Sequence, residues 1–150
     1  MNIYLGADHR GYRLKEALKQ YFEKKGEESA YLKKYQLVDL GAFSEESVDY
    51  PKFAQEVSKH VIQDSNSFGI LLCNSGIGMS IAANRFRGVR AALCTDITMV
   101  EFSRRHNDAN VLCIASDKTS LEMLETMVDV FLNTPFEGGR HERRVQMMDS

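Results

Sequence analysis

A cysteine followed by a glycine-bearing loop is the part of this sequence best suited to chemistry. The segment reads Cys73-Asn74-Ser75-Gly76-Ile77-Gly78. The two glycines let the backbone turn tightly and direct N–H groups inward, and a helix that starts after them adds partial positive charge. Such a loop suits a phosphate or a developing oxyanion. The same surroundings favour the thiolate of Cys73, which could then act as a nucleophile or as a base.

The loop does not match the common nucleotide-binding motifs. A dinucleotide fingerprint needs a third glycine where Ile81 stands, and the lysine of a P-loop is absent. The glycines alone are equally compatible with an ordinary strand-to-helix turn. We therefore predict no nucleotide cofactor, and the anion-binding interpretation depends on Cys73 and on its neighbours in space.

Two further groups could take part in proton transfer or in phosphate binding. Asp8 and His9 follow the first apolar run of the chain, and a carboxylate beside an imidazole suits either task. Asp8 also suits a helix N-cap, and the two roles are compatible. His106 and Asn107 follow a predicted helix, where a single histidine is ordinarily explained by capping and by the helix dipole.

The densest basic cluster lies near the C-terminal end, in the segment Arg140-His141-Glu142-Arg143-Arg144. On a short final helix, Arg140 and Arg144 would share a face because they are four residues apart. Two arginines so placed can bind one phosphate. The alternative is a solvated charged tail.

The elements that must position these residues alternate between strand and helix. Five short apolar runs, without polar alternation, predict buried parallel strands: Ile3–Ala7, Tyr35–Leu40, Phe68–Leu72, Val89–Leu93 and Val111–Ala115. Amphipathic helices separate them, the third over residues 79–86. The pattern predicts an α/β fold with helices on both faces of one sheet. For the common strand order 2-1-3-4-5, ligands bind beyond the carboxyl ends of strands 1 and 3, where Asp8, His9 and Cys73 lie.

Composition excludes several classes of protein. The 150 residues suit one domain, with residues 135–150 as a basic tail, and the net charge of −2 gives no strong attraction for nucleic acid or anionic lipid. The apolar runs are too short to cross a membrane, and the start of the chain lacks a secretory signal. Cys73, Cys94 and Cys113 are too few and too widely spaced for a disulfide framework or a zinc site. These features predict a cytoplasmic protein without a bound metal.

Six motifs together resemble the ribose-5-phosphate isomerase B family, which includes galactose-6-phosphate isomerase subunits. They occur in order along nearly the whole chain: Gly6-Ala7-Asp8-His9, Asp49-Tyr50-Pro51, Cys73-Asn74-Ser75-Gly76-Ile77-Gly78, Ser80-Ile81-Ala82-Ala83-Asn84, Arg104-Arg105-His106-Asn107-Asp108-Ala109-Asn110 and Glu137-Gly138-Gly139-Arg140-His141. Each motif is modest alone, whereas six in sequence are specific.

The resemblance implies a Rossmann-like homodimer or tetramer that interconverts ribose 5-phosphate and ribulose 5-phosphate without metal. It implies that Cys73 moves the proton between C2 and C1, and that His106 assists opening of the sugar ring near Asp8. The implied substrate contacts are a proton shuttle at Ser75, oxyanion contacts from the backbone of Asn74, Gly76, Ile77 and Gly78, phosphate contacts from His9, Arg140 and Arg144, and a sugar contact from Asn107.

Two other functions remain open from the sequence. The substrate could be a six-carbon sugar phosphate, because pocket size decides that choice. A non-enzymatic phosphosugar sensor could use the same fold, although a receiver domain needs an aspartate where Cys73 stands. Topology adds one expectation: His106 follows a helix, so it lies at the sheet edge opposite Cys73, and a site that uses both must be shared by two subunits. The subunit that supplies Arg140 and Arg144, and the role of Glu27–Lys34, stay open.

Overall fold

The computed structural model describes all residues, 1–150. The strands are β1 Asn2–Ala7, β2 Gln36–Asp39, β3 Ser67–Cys73, β4 Ala91–Leu93 and β5 Val111–Ala115. The helices are α1 Tyr12–Gly26, α2 Tyr50–Gln63, α3 Ile77–Ala83, α4 Ile97–Asn107, α5 Leu121–Asn133 and α6 Arg140–Met148, and a single 3₁₀ turn spans Leu32–Lys34. The alternation of strand and helix is as predicted. The third helix begins and ends earlier than predicted, and β4 is shorter.

The five strands form one parallel sheet, but their order is β2-β1-β3-β5-β4. The predicted order 2-1-3-4-5 is therefore wrong in its last two strands. Burial gives the physical reason. All five residues of β5 are buried, whereas the three residues of β4 are only partly buried. The more apolar strand takes the interior position beside β3, and the shorter strand becomes an edge.

Helices cover both faces of the sheet, as the α/β prediction requires. One apolar core joins the sheet to α1, α4 and α5, with Leu18, Val100 and Phe131 among its members. The other joins it to α2 and α3 through residues such as Val57 and Met79. The two cores make the three layers of the fold. The helix α6 packs against α4 on the outside.

None of the helices combines the length and the apolar character that crossing a membrane requires.

Candidate active site

Cys73 and Asp8 lie side by side at the carboxyl ends of two neighbouring strands. Ala7 of β1 is paired with Leu72 of β3, and the Asp8 N–H donates to the Leu72 carbonyl at 3.2 Å. Each strand then turns into its loop at the next residue. Cys73 is 5% exposed and Asp8 is 6% exposed, so both line a protected rim rather than an open surface.

The loop after β3 folds back over the cysteine. The Gly76 N–H donates to the Cys73 Sγ at 3.2 Å. Gly76 has a φ of +74°, and a Cβ there would lie 2.5 Å from Leu93 Cδ1 and 3.1 Å from the Ile114 carbonyl carbon, so any other residue would strain the backbone and displace Leu93. The Ile77 N–H donates to the Ser75 Oγ at 3.3 Å, and the first N–H groups of α3 have no acceptor within the helix. The loop therefore presents donors beside a sulfur atom.

The other two thiols differ from Cys73 in their surroundings. Burial raises the pKa of Cys94 to about 11, and it raises the pKa of the completely buried Cys113 well above its ordinary value. Both side chains belong to the apolar cores. They act as small apolar residues, and only Cys73 contacts the glycine loop that follows β3.

Hydrogen bonds orient the groups that follow β1. The Asp8 carboxylate accepts from the Arg10 N–H at 2.9 Å and from the Gly11 N–H at 3.1 Å. Gly11, not Asp8, is the N-cap residue of α1, so Asp8 stabilises the turn just before the helix. The His9 Nδ1 accepts from the Val48 N–H at 3.2 Å. A neutral His9 therefore carries its proton on Nε2, where it can be donated to a ligand.

The corrected strand order brings unpredicted residues to the same rim. Ala115 at the end of β5 is paired with Cys73, and the N–H groups of Ser116 and Asp117 donate to the carbonyls of Cys73 and Asn74 at 2.9 and 3.1 Å. The Ser116 Oγ is buried without a hydrogen-bond partner. The sequence signal was a polar turn after the most apolar strand, and it was missed because β5 was assigned to the edge.

Tyr50 also reaches the loop. A Cβ added to Gly78 would lie 2.5 Å from the Cζ of the Tyr50 ring. The ring therefore packs directly against the glycine at the start of α3, and Gly78 permits that approach. Tyr50 belongs to the Asp49-Tyr50-Pro51 motif, to which the sequence alone assigns no role.

His106 lies at the opposite edge of the sheet. It is in the last turn of α4, and the chain returns into β5 at Val111, which is paired with Gly69 of β3. Cys73 is four residues beyond Gly69, so about 13 Å of strand separates the two edges. The expected separation of His106 from Cys73 within one chain is confirmed.

The His106 ring is held between two other rings. Phe102 stacks on one side with a centroid distance of 4.9 Å, and His141 stacks on the other at 4.4 Å. The His106 Nε2 lies 3.7 Å from the Glu137 Oε1. Arg105 also binds that carboxylate, through its Nη2 at 2.9 Å.

The tail arginines are at the same edge as His106. Arg140 and Arg144 are exposed residues of α6, and the Glu137 N–H anchors the start of this segment by donating to the Arg105 carbonyl at 3.0 Å. Asn107 lines a cleft of about 610 Å³ at the outer edge of β4. The predicted site residues thus form two groups in one chain: one around Cys73, and one around His106.

One cluster has the composition of a metal site. The ligand atoms of His106, Glu137 and His141 lie within 4.8 Å of one another, although no ligand spacing is visible along the sequence. The two imidazoles are stacked within 12° of parallel, so their in-plane lone pairs do not converge, and Arg105 already binds Glu137. The arrangement is that of a ring stack with an ion pair. The absence of a bound metal stays a prediction.

Similarity to known proteins shows the family to which this chain belongs. The sequence profile of a family described as ribose/galactose isomerase matches residues 3–148. The chain belongs to the ribose/galactose isomerase family. It is 39% identical over 144 residues to ribose-5-phosphate isomerase B of Escherichia coli strain K12, with 96% of this chain and 91% of the relative covered.

Solved structures of this isomerase family share the whole fold. A ribose 5-phosphate isomerase from Thermotoga maritima has a TM-score of 0.90 and 45% identity, with 99% of this chain and 97% of that chain covered. Ribose-5-phosphate isomerase B from Mycoplasma genitalium, solved with bound ribulose-5-phosphate, has a TM-score of 0.88 and 36% identity, with 98% and 93% covered. The chain is therefore a sugar-phosphate isomerase of the B type.

Proposed function

We propose that this isomerase interconverts ribose 5-phosphate and ribulose 5-phosphate through an enediolate, with Cys73 as the base. The observation that carries the proposal is the contact between the Cys73 Sγ and the Gly76 N–H in the glycine loop. The names of the Escherichia coli and Mycoplasma genitalium relatives support the five-carbon substrate. No metal or other cofactor takes part in the proposed reaction.

The chemistry follows from three requirements of aldose–ketose isomerisation. A base must remove the proton from C2 and return it to C1. The Cys73 thiolate removes the proton, and the thiol so formed returns it. The negative charge that develops on the substrate oxygen needs donors, and the N–H groups from Asn74 to Gly78 supply them. The N–H groups of Gly76 and Ile77 would first exchange the Cys73 Sγ and the Ser75 Oγ for the substrate. A proton must pass between the oxygens at C1 and C2, and the Ser75 hydroxyl can accept and donate one.

The remaining roles require a second subunit. Ring opening needs an acid–base group, and phosphate binding needs cations, yet His106, Arg140 and Arg144 lie at the edge away from Cys73. In a two-fold dimer, the His106 edge of one subunit can face the Cys73 rim of the other, twice. Asp8 and His9 then belong to the Cys73 subunit, with His9 directed at the phosphate. The partner supplies His106, Asn107, Arg140 and Arg144.

The surface around β4 is suited to such a partner. The edge strand is flanked by exposed apolar side chains, with Ile77 and Ile81 on α3 and Ile97 and Phe102 on α4. Exposed apolar groups gathered around one edge commonly mark an interface. The Asn84 side chain bonds both the N–H and the carbonyl of Ala91 at 2.8 Å. The partner is therefore expected to dock through side chains rather than by adding a strand to the sheet.

A direct assay tests the proposed reaction. Pure protein is incubated with ribose 5-phosphate, allose 6-phosphate and galactose 6-phosphate, each with and without a strong chelator, and ketose formation is measured. We expect the highest kcat/KM with ribose 5-phosphate and no effect of the chelator. A higher kcat/KM for either six-carbon substrate would contradict the proposed specificity. Loss of activity with chelator, restored by a divalent ion, would contradict the metal-free mechanism.

A further inference from the structure

We propose that His141 is a positioning residue, whose imidazole holds the His106 ring in the orientation in which it meets the substrate. The inference rests on the proposed function, because it takes His106 as the ring-opening group. His141 itself is not expected to touch the sugar.

The geometry that supports this role is a stack of three rings from two helices. Phe102 and His106 are one helical turn apart on α4, with their ring planes inclined by 13°. His141, in the first turn of α6, covers the other face of His106, with its plane inclined by 12°. A ring with a stacked partner on each face resists rotation about its Cβ–Cγ bond, so the stack holds the plane in which the His106 nitrogens lie.

The burial pattern of α6 singles out His141. It is 9% exposed, whereas Arg140 and Glu142 on either side are exposed. The helix follows Gly138 and Gly139, which have φ values of +66° and +57°. The chain therefore turns sharply before α6, and this turn places the His141 ring against the His106 ring. An aliphatic side chain would fill the same space, but it would not present a flat face.

The surroundings of the stack favour the neutral form of the His141 imidazole. Burial lowers the pKa of His141, and the neighbouring His106, Arg140 and Arg144 lower it further, while Glu137 opposes them. Glu137 is in turn bound by Arg105 of α4. The lowered pKa of His141 favours its neutral imidazole, whose aromatic face can stack on His106 without charge repulsion. Two protonated rings at this distance would repel each other.

The test compares two replacements of His141 in the full-length protein. His141→Phe keeps an aromatic face against His106, whereas His141→Leu fills the space without one. We expect His141→Phe to keep most of kcat and His141→Leu to lose about 10- to 100-fold in kcat, the effect of a displaced catalytic group, with KM little changed. Val145→Ala is the matched control, because Val145 is the other buried residue of α6; we expect it to lower stability and leave kcat unchanged.

A second measurement detects the ring stack by NMR and does not depend on an activity assay. The NMR signal of the His106 ring proton between the two nitrogens should move in His141→Leu, because the ring current of the stacked imidazole is lost, and should stay in Val145→Ala. Equal damage to kcat in both His141 variants would overturn the stacking role. The stacking role would also be overturned if His141→Leu left both kcat and the His106 NMR signal unchanged while His106→Ala was inactive. If His106→Ala is itself active, the proposed ring-opening role fails, and the positioning role fails with it.

Discussion

At the scale of single residues, the three cysteines show how position changes the chemistry of one side chain. Cys94 and Cys113 belong to the apolar cores. Burial raises the pKa of each thiol, and a hydrogen bond from Ser103 only partly offsets this for Cys94. Cys73 is nearly as buried, at 5% exposed, but its Sγ accepts a hydrogen bond from the Gly76 N–H. Of the three thiols, only Cys73 contacts the glycine loop beside Asp8, which is why we propose it as the base.

Replacing Cys73 tests that assignment. We expect Cys73→Ala to lower kcat by about 10²- to 10⁴-fold, the usual cost of removing a general base, while the substrate still binds with similar affinity. The measurements are ketose formation and isothermal titration with the sugar phosphate. Cys94→Ala, another buried thiol, is the control and should lose stability but keep its turnover. A folded Cys73→Ala protein with near-normal kcat would exclude the cysteine base.

At the scale of elements, the glycine loop connects backbone geometry to the site. Gly76 and Gly88 both have positive φ values, +74° and +88°. A Cβ at Gly76 would collide with Leu93 and approach the backbone of β5, whereas a Cβ at Gly88 would meet nothing within 4 Å. An alanine at Gly88 would therefore suffer backbone strain alone, whereas an alanine at Gly76 would suffer the same strain and also clash with its neighbours.

The paired substitutions use that difference. Gly88→Ala should cost about 1–2 kcal/mol of unfolding free energy, the strain of a left-handed alanine, and leave kcat unchanged. Gly76→Ala should cost more and should also lower kcat, because the loop must shift away from Cys73. Urea unfolding and steady-state kinetics measure both effects. Equal losses in the two variants would show that the Gly76 loop is not specially constrained.

The elements themselves were predictable, whereas their arrangement was only partly so. Apolar runs identified all five strands because burial in a parallel sheet leaves a local pattern. The positions of β4 and β5 depend on which strand buries more, a comparison between distant segments. The all-apolar run Val111–Ala115 against the short Ala91–Leu93 held that information. Because β5 was assigned to the sheet edge, Ser116 and Asp117 were not predicted to lie beside Cys73.

The site was predictable where it follows a strand. Asp8, His9 and Cys73 were expected together because the ends of parallel strands meet at one sheet edge. The stack of Phe102, His106 and His141 was not expected, because it depends on how α6 returns across α4 after the two glycines. No local pattern encodes a contact of that kind.

At the scale of the whole molecule, a buried charge contributes to stability away from the site. Lys15 is completely buried, and its Nζ lies 2.7 Å from the Asp39 carboxylate. Burial alone would raise the pKa of Asp39, but hydrogen bonds from Lys15, Lys19 and the Gly41 N–H outweigh it, so the pKa lies below its ordinary value. The pair links α1 to the end of β2.

The lowered pKa predicts how stability depends on pH. The contribution of Asp39 is fully present above the unfolded carboxyl pKa of about 3.9, and it is lost as the pH falls through the lower folded value. Asp39→Asn should therefore cost about 2–3 kcal/mol at neutral pH, because it leaves Lys15 buried with weaker compensation, and much less at acid pH. Urea unfolding at both pH values measures this, with Glu56→Gln, in an exposed ion pair, as the control. A loss independent of pH would contradict the ionic role of Asp39.

The division of the site between two edges is the central claim about the whole molecule. One chain places Cys73, Asp8 and His9 at the carboxyl ends of the strands, and places His106, Arg140 and Arg144 at the other edge. Neither group contains both the base and the ring-opening residue. The proposed isomerase is therefore complete only when the two edges of different subunits meet.

Subunit complementation tests this claim most directly. Inactive Cys73→Ala and inactive His106→Ala proteins, differently tagged, are mixed under conditions that allow subunits to exchange, and the doubly tagged heterodimers are purified and assayed. Each shared-site heterodimer carries one site with both lesions and one site with neither, so we predict roughly half of wild-type activity per dimer. If the purified heterodimers remain as inactive as the parent proteins, or if a monomer is fully active, the shared site is contradicted.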